Sequence, residues 1–235
     1  MTEPRFDSFG VEHLLAVAAT LFVIAVVVHW IRRQSDSRQY FLVRALAGLL
    51  VAYRVVETTW RWRLGEAWPQ LMPLHLCGMS ILLTAIVLWF RSDKVFQVAY
   101  YWVTAGATMS LLTPDLQFGF PSFAFWSFFL GHGLPVLGIA VAVFVLDMRP
   151  QARSILWALA GTWMMGLVAA PFNLAFDTNY LFLRQKPFGA TPFDYFGPWP
   201  WYLLVVNFVG LFLFALCYLP FLRRSESTLP FTSSG

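Results

Sequence analysis

The sequence predicts an all-α, polytopic membrane protein: seven transmembrane helices, with the amino terminus outside and the carboxyl terminus cytoplasmic. Three observations carry that prediction. Of the 235 residues, 59% are hydrophobic and only 12% are charged, about half the charge of an ordinary soluble domain. Aromatic residues make up 18%, with 11 Trp among them, a residue enriched where lipid meets water. Seven apolar runs also come close to the ~20 residues a helix needs to cross a ~30 Å hydrocarbon core.

In chain order the spans are 12–31, 41–60, 74–90, 95–113, 123–146, 154–174 and 200–220. The first has no small-residue cleavage site behind it and runs into Arg32 and Arg33, which marks a retained helix and not a signal peptide. Connections after odd-numbered spans hold nine Lys and Arg, among them Arg32, Arg33, Arg91, Lys94, Arg149 and Arg153. The other side holds five: Arg5, Arg61, Arg63, Arg184 and Lys186. Basic connections stay cytoplasmic, which sets the orientation across the membrane. The formal charge of +4 is thereby topogenic, and no nucleic-acid surface is expected. Residues 1–224 read as one seven-helix domain and 225–235 as a disordered cytoplasmic tail. The long connection 175–199 is expected to be ordered, because Pro198 and Pro200 restrict its backbone and Trp199, Trp201 and Tyr202 suit an interface.

Polar residues within the spans gather toward the external half, and a shared cavity open to the outer leaflet is the simplest common explanation. Each member also has a plainer reading. Arg54 and Glu57 stand three residues apart and either neutralise each other or wall the cavity. Asn173 and Asn207 either bond between helices or touch substrate. Asp177, Asn179 and Tyr180 in the long loop join them as candidate substrate-binding residues. His13 and His29 lie near span ends and need no special role. Cys77 and Cys217 read as buried thiols and not as a disulfide framework, and Cys217 reads as packing.

The stretch Leu-Met-Pro-Leu-His-Leu-Cys, 71–77, is the candidate with chemistry. Pro73 suits the first turn of a helix, so His75 and Cys77 are expected near the positive end of its dipole. That setting favours a thiolate against the opposing cost of apolar burial. His75 and Cys77 are about 200° apart around a helix, so a base for the thiol has to come from elsewhere. His132, between Gly131 and Gly133, is either a buried structural histidine or that base. Nominal depths place it roughly 9 Å further into the membrane than Cys77.

The segments 71–77, Phe-Phe-Leu-Gly-His-Gly at 128–133, 173–187 and Phe-Gly-Pro-Trp-Pro-Trp-Tyr at 196–202 resemble the bacterial YwaF family of integral membrane proteins, related to animal transmembrane protein 164. The likeness covers spans 3 to 7. It implies a phospholipid acyltransferase that uses a cysteine and a histidine on ether lysophospholipids. Residue by residue, His132 matches the histidine, while the family cysteine aligns with Leu74, between matching Pro73 and His75. Cys77 stands three positions further on, on the face a helix would share with position 74. Two readings follow: a displaced nucleophile, or loss of the acyl-enzyme mechanism.

Two function classes compete. In the first, the protein is a membrane acyltransferase or lipid hydrolase acting on phospholipid or lysophospholipid, with Cys77 as nucleophile, His132 as base, and His75 or Asn173 orienting or stabilising an oxyanion. In the second, it is a transporter or lipid- or small-molecule-binding protein without chemistry, with Arg54, Glu57, His75 and His132 recognising a headgroup or carrying protons. A metal on His75 and His132 lacks a third ligand, and no cofactor is expected.

Overall fold

A computed structural model describes residues 5–187 and 191–225. The described residues are helical, with no named strand, and the expected spans become seven successive helical rods. These are α1 (Val11–Arg32), α2 (Asp36–Arg63), α3 (Leu76–Phe90), α4 (Asp93–Tyr101) continuing through a π-helical segment (Trp102–Ala107) into α5 (Thr108–Leu112), then α6 (Phe123–Phe144), α7 (Ser154–Phe176) and α8 (Trp201–Ser225). Four of them, α1, α6, α7 and α8, are long and apolar enough to cross a membrane. The other three fall short of that description for different reasons. α2 has the length, at 28 residues, but carries charge at both ends. α3 has only 15 residues, and the fourth rod is broken by its π turn. Apart from Ser225, the tail expected at 225–235 lies outside the described residues.

Local chemistry sets several boundaries. The Ser92 and Ser122 hydroxyls accept from the backbone N–H of Val95 at 3.5 Å and Phe125 at 3.2 Å, capping the starts of α4 and α6. Arg91 and Asp177 take left-handed backbone angles, φ 51° and 50°, just past α3 and α7, the usual way of closing a helix end. Pro135 and Pro171 sit inside α6 and α7, as membrane helices tolerate.

Contacts at the rod ends show that successive rods alternate in direction. At one end, Phe6 N–H donates to Gln117 at 3.0 Å, and the Glu12 carboxylate accepts from Phe120 N–H. His13, expected to need no role, is buried there: Nδ1 accepts from Phe9 N–H at 3.0 Å, and Nε2 donates to the Leu111 carbonyl at 2.8 Å. At the opposite end, Gln97 bonds Arg149 O and Gln151 N, both at 2.9 Å. Tyr100 donates to Cys217 O at 2.7 Å.

The core is built by α3, the π segment and α6, where Val87, Leu88, Val103, Val141 and Ala142 are fully buried. The outer faces of α1, α7 and α8 carry exposed apolar rows, such as Phe22, Leu167, Leu174, Phe208 and Phe212, as lipid-facing helices do. Three glycines let α6 meet its neighbours closely. A β-carbon at Gly131 would stand 2.7 Å from the Tyr53 hydroxyl of α2, and one at Gly133 would stand 2.9 Å from the Thr20 methyl of α1. At Gly138 it would fall on the Thr84 methyl of α3. Small residues at helix crossings serve this purpose in membranes. Gly138→Ala is therefore expected to destabilise the fold by about 1–3 kcal/mol through overpacking, read as earlier thermal unfolding in detergent. Gly166→Ala, where a β-carbon meets nothing, is the control and should unfold with the parent.

Candidate active site

α3 begins at Leu76, two residues later than the predicted span, and this shift organises the site. Its 15 residues make a rod of about 22 Å, against about 33 Å for the 22 residues of α6. The chain reaches the α3 start through a single 3₁₀ turn, Trp68–Leu71, and a non-helical stretch. Pro73 consequently lies upstream of the helix and not in its first turn, with its Cα 3.5 Å from where a Gly78 β-carbon would sit. Leu74 is also outside the helix, so positions 74 and 77 share no helical face. Cys77 is the second helical residue, and the first helical bond at this end runs from Met79 N–H to His75 O, 3.0 Å. The N–H groups ahead of Met79 have no partner within the helix.

The late start of α3 closes the depth gap expected between Cys77 and His132. His132, ten residues into α6, lies within electrostatic reach of the Cys77 thiol. The ring is oriented from its far side: Nδ1 lies 2.8 Å from the Phe128 carbonyl. A carbonyl only accepts, so Nδ1 carries the proton and Nε2 is left as an acceptor. The Phe128 ring packs on the imidazole, centroids 4.4 Å apart. Ser110 of α5 completes the group, its hydroxyl 3.8 Å from the Cys77 sulfur. Cys77, His132 and Ser110 are all half-buried, as are residues 72–79 together. The sequence analysis missed Ser110 and the π turn before it. The extra residue in that turn rotates everything after it by about 100° relative to an unbroken α-helix, which a count of hydrophobic spacing does not reveal.

The other candidate residues are engaged in contacts within the fold. His75, in the loop just before α3, accepts at Nδ1 from Leu181 N–H, 3.4 Å, and packs against Tyr180 and Phe182. Asn173 is completely buried, and its amide bonds Tyr180 O at 3.0 Å, Tyr180 N at 2.8 Å and the Thr178 hydroxyl at 2.8 Å. It therefore presents no surface to a substrate. Tyr180 itself donates to Pro69 O at 2.6 Å. Asn179 anchors Gln185 and Arg184, and Asp177 pairs with Arg184 at 2.6 Å. Asn207 accepts from Trp163 Nε1 at 2.8 Å, joining α8 to α7. Glu57, buried, binds Arg54 at 2.5 Å and Arg61 at 3.1 Å, while Arg54 also reaches Leu71 O at 2.9 Å. Cys217 packs in the core. Among the described residues, no three His, Cys, Asp or Glu side chains converge as metal ligands.

Burial, with Arg61 and Arg54 adding to it, lowers the His75 pKa to about 4. A histidine held neutral in the fold but titrating near 6.5 when released contributes stability at pH 7, and this is lost as pH falls from about 6.5 to 4. Thermal stability should fall across that window, and His75→Gln should flatten the decline. An unchanged slope in the variant would remove His75 as its source.

The fold defines a helical membrane protein with a half-buried thiol at the start of α3 and, on α6, an imidazole oriented by the Phe128 carbonyl. Residues 8–218 match the model of the TMEM164 family, and the chain belongs to that family. It is also similar to an uncharacterized protein of Treponema pallidum (strain Nichols), 26% identical over 161 residues, which cover 67% of this chain and 65% of that protein. The chain thus matches somewhat less than two thirds of that relative's length. No solved structure matches.

Proposed function

We propose that the protein is a membrane acyltransferase or lipid hydrolase acting on phospholipid acyl esters through Cys77 and His132, in a bundle that crosses the bilayer seven times with its amino terminus outside. One observation carries the reading: the thiol at the start of α3 lies within electrostatic reach of an imidazole whose other nitrogen is held by the Phe128 carbonyl. That is the nucleophile, base and orienting group of covalent acyl transfer, with a backbone carbonyl as the third member.

In this reading His132 Nε2 takes the Cys77 proton as the sulfur attacks the ester carbonyl carbon. The oxyanion forms beside the free N–H groups at the start of α3, where the helix dipole favours negative charge. The carbon–oxygen ester bond breaks, and the departing lysophospholipid oxygen receives the proton from His132. An acceptor hydroxyl then attacks the thioester, giving its proton to His132, and the proton returns to sulfur as the thioester breaks. A lysophospholipid as acceptor gives acyl transfer; water gives hydrolysis. Membership of the TMEM164 family is consistent with work on lipid. His75 and Asn173 contribute by holding the 177–187 loop on the α3 start and make no contact with substrate.

The test is to incubate the purified protein in vesicles with acyl-labelled phospholipid and unlabelled lysophospholipid. The expected result is label on the acceptor and a hydroxylamine-sensitive adduct on the peptide containing Cys77. Substrate flux in sealed vesicles with no product would replace this reading with transport.

A further inference from the structure

Beyond the Cys77 pair, toward the opposite end of the bundle, α6 forms one wall of a crevice of about 600 Å³ shared with α1, the fourth rod and α8. Its walls are mainly apolar, with Val103, Val136, Ala140, Val143, Phe144 and Phe221, and the two hydroxyls they include, of Tyr100 and Thr104, are already bonded to Cys217 O and Tyr100 O. Val136 and Phe144 are eight residues apart, so the crevice runs about 12 Å along α6. Phe144 is 59% exposed, which opens the crevice to the surroundings of the bundle. The mouth carries Arg32, Arg149 and Asp147. Asp147 is paired with Arg149, which also donates to Val143 O at 2.9 Å. Among the described residues, the Arg32 guanidinium has no hydrogen-bond or ion-pair partner, and it is exposed.

We propose that this crevice holds one acyl chain of an anionic phospholipid, with the phosphate against Arg32. The occupant follows from two complementarities. An open-sided apolar crevice in a bilayer fills with hydrocarbon, because water there finds no polar partners. The volume lies in the range of sites that bury a drug-sized ligand. At the mouth, two guanidinium groups face one carboxylate, which leaves a net positive charge for a phosphate. Because the crevice starts a full turn past His132 and uses neither Cys77 nor His132, the site holds whether or not the protein is an enzyme.

The test uses the full chain in phosphatidylcholine vesicles doped with either phosphatidylglycerol or phosphatidylcholine carrying the same diazirine-labelled chain, with cross-linked peptides mapped after irradiation. Phosphatidylglycerol should label residues 136–144 roughly fivefold more than the choline lipid, the preference expected from one arginine near the membrane surface. Arg32→Gln, an exposed change, should remove that preference. Ala140→Phe should abolish labelling of 136–144 by both lipids while leaving the lipid-facing row at Leu167 and Leu174 labelled as before. Equal labelling by the two lipids, labelling of 136–144 no stronger than at Leu167, or an undiminished preference in Arg32→Gln would overturn the proposal. If Ala140→Phe fails to fold, the Arg32→Gln comparison decides alone.

Discussion

Cys77→Ala is expected to cut acyl transfer at least ~10³-fold and to eliminate the hydroxylamine-sensitive adduct, because removing a covalent nucleophile leaves only the binding and electrostatic part of catalysis. His132→Ala should cost about 10²–10⁴, the span of general acid–base catalysis. The double variant should be no worse than Cys77→Ala, since the two side chains act as one unit. The loss has to be chemical and not structural. Cys77 is half-buried, with the Ser110 hydroxyl as a neighbour, so Cys77→Ala should unfold within a few degrees of the parent. Turnover at the parent rate by Cys77→Ala would end the acyl-enzyme reading. An intact adduct in His132→Ala at the parent rate would remove the base.

Glu57→Gln is expected to destabilise the protein by about 3–5 kcal/mol, the cost of breaking a buried ion pair from one side. The Glu57 side chain is 9% exposed and balances both Arg54, whose side chain is 14% exposed, and Arg61. Arg61 keeps Glu66 at 2.5 Å after the change, but Arg54 keeps only the Leu71 carbonyl. Removing both charges together, Arg54→Met with Glu57→Leu, should cost much less, because no unpaired ion remains. Thermal unfolding of the three proteins in one detergent makes the comparison. A loss below ~1 kcal/mol for Glu57→Gln would mean that water screens the pair as it does at an open surface.

The rods were legible in the sequence because length and apolarity are local properties. The predicted 123–146 and 154–174 meet α6 at Phe123–Phe144 and α7 at Ser154–Phe176. The plainer readings of Arg54, Glu57 and Asn207 correspond to the contacts those residues make, since neighbours along a helix and amides between helices have few alternatives. The identities of Cys77 and His132 as a candidate pair were also legible, but their relative depth was not. It depends on where α3 starts relative to α6, and that is set by how the non-helical chain before Leu76 descends into the bundle. Pro73 pointed to an earlier start, which the packing of its Cα near Gly78 replaces. Ser110 escaped notice for a related reason: the π turn alters which way α5 faces, while leaving the composition of the span unchanged. Asp177, Asn179 and Tyr180 are read as candidate substrate contacts because a polar loop beside a membrane invites that reading, and their bonds fold the loop on itself and onto Pro69.

The glycine contacts of α6 bear on the rival idea of transport. With Tyr53, Thr20 and Thr84 lodged in the notches at Gly131, Gly133 and Gly138, α6, the fifth rod, is keyed to the first three like a shaft in a slot. Sliding or rocking of halves against each other would have to unseat all three keys at once. An alternating gate is therefore better sought at α8, where a β-carbon at Gly210 would meet nothing within 4 Å, than at α7, where one at Gly161 would stand 3.1 Å from the Trp102 ring. Tethering α1 to α6 should leave the protein working, whereas a machine that rocks about its centre would stall.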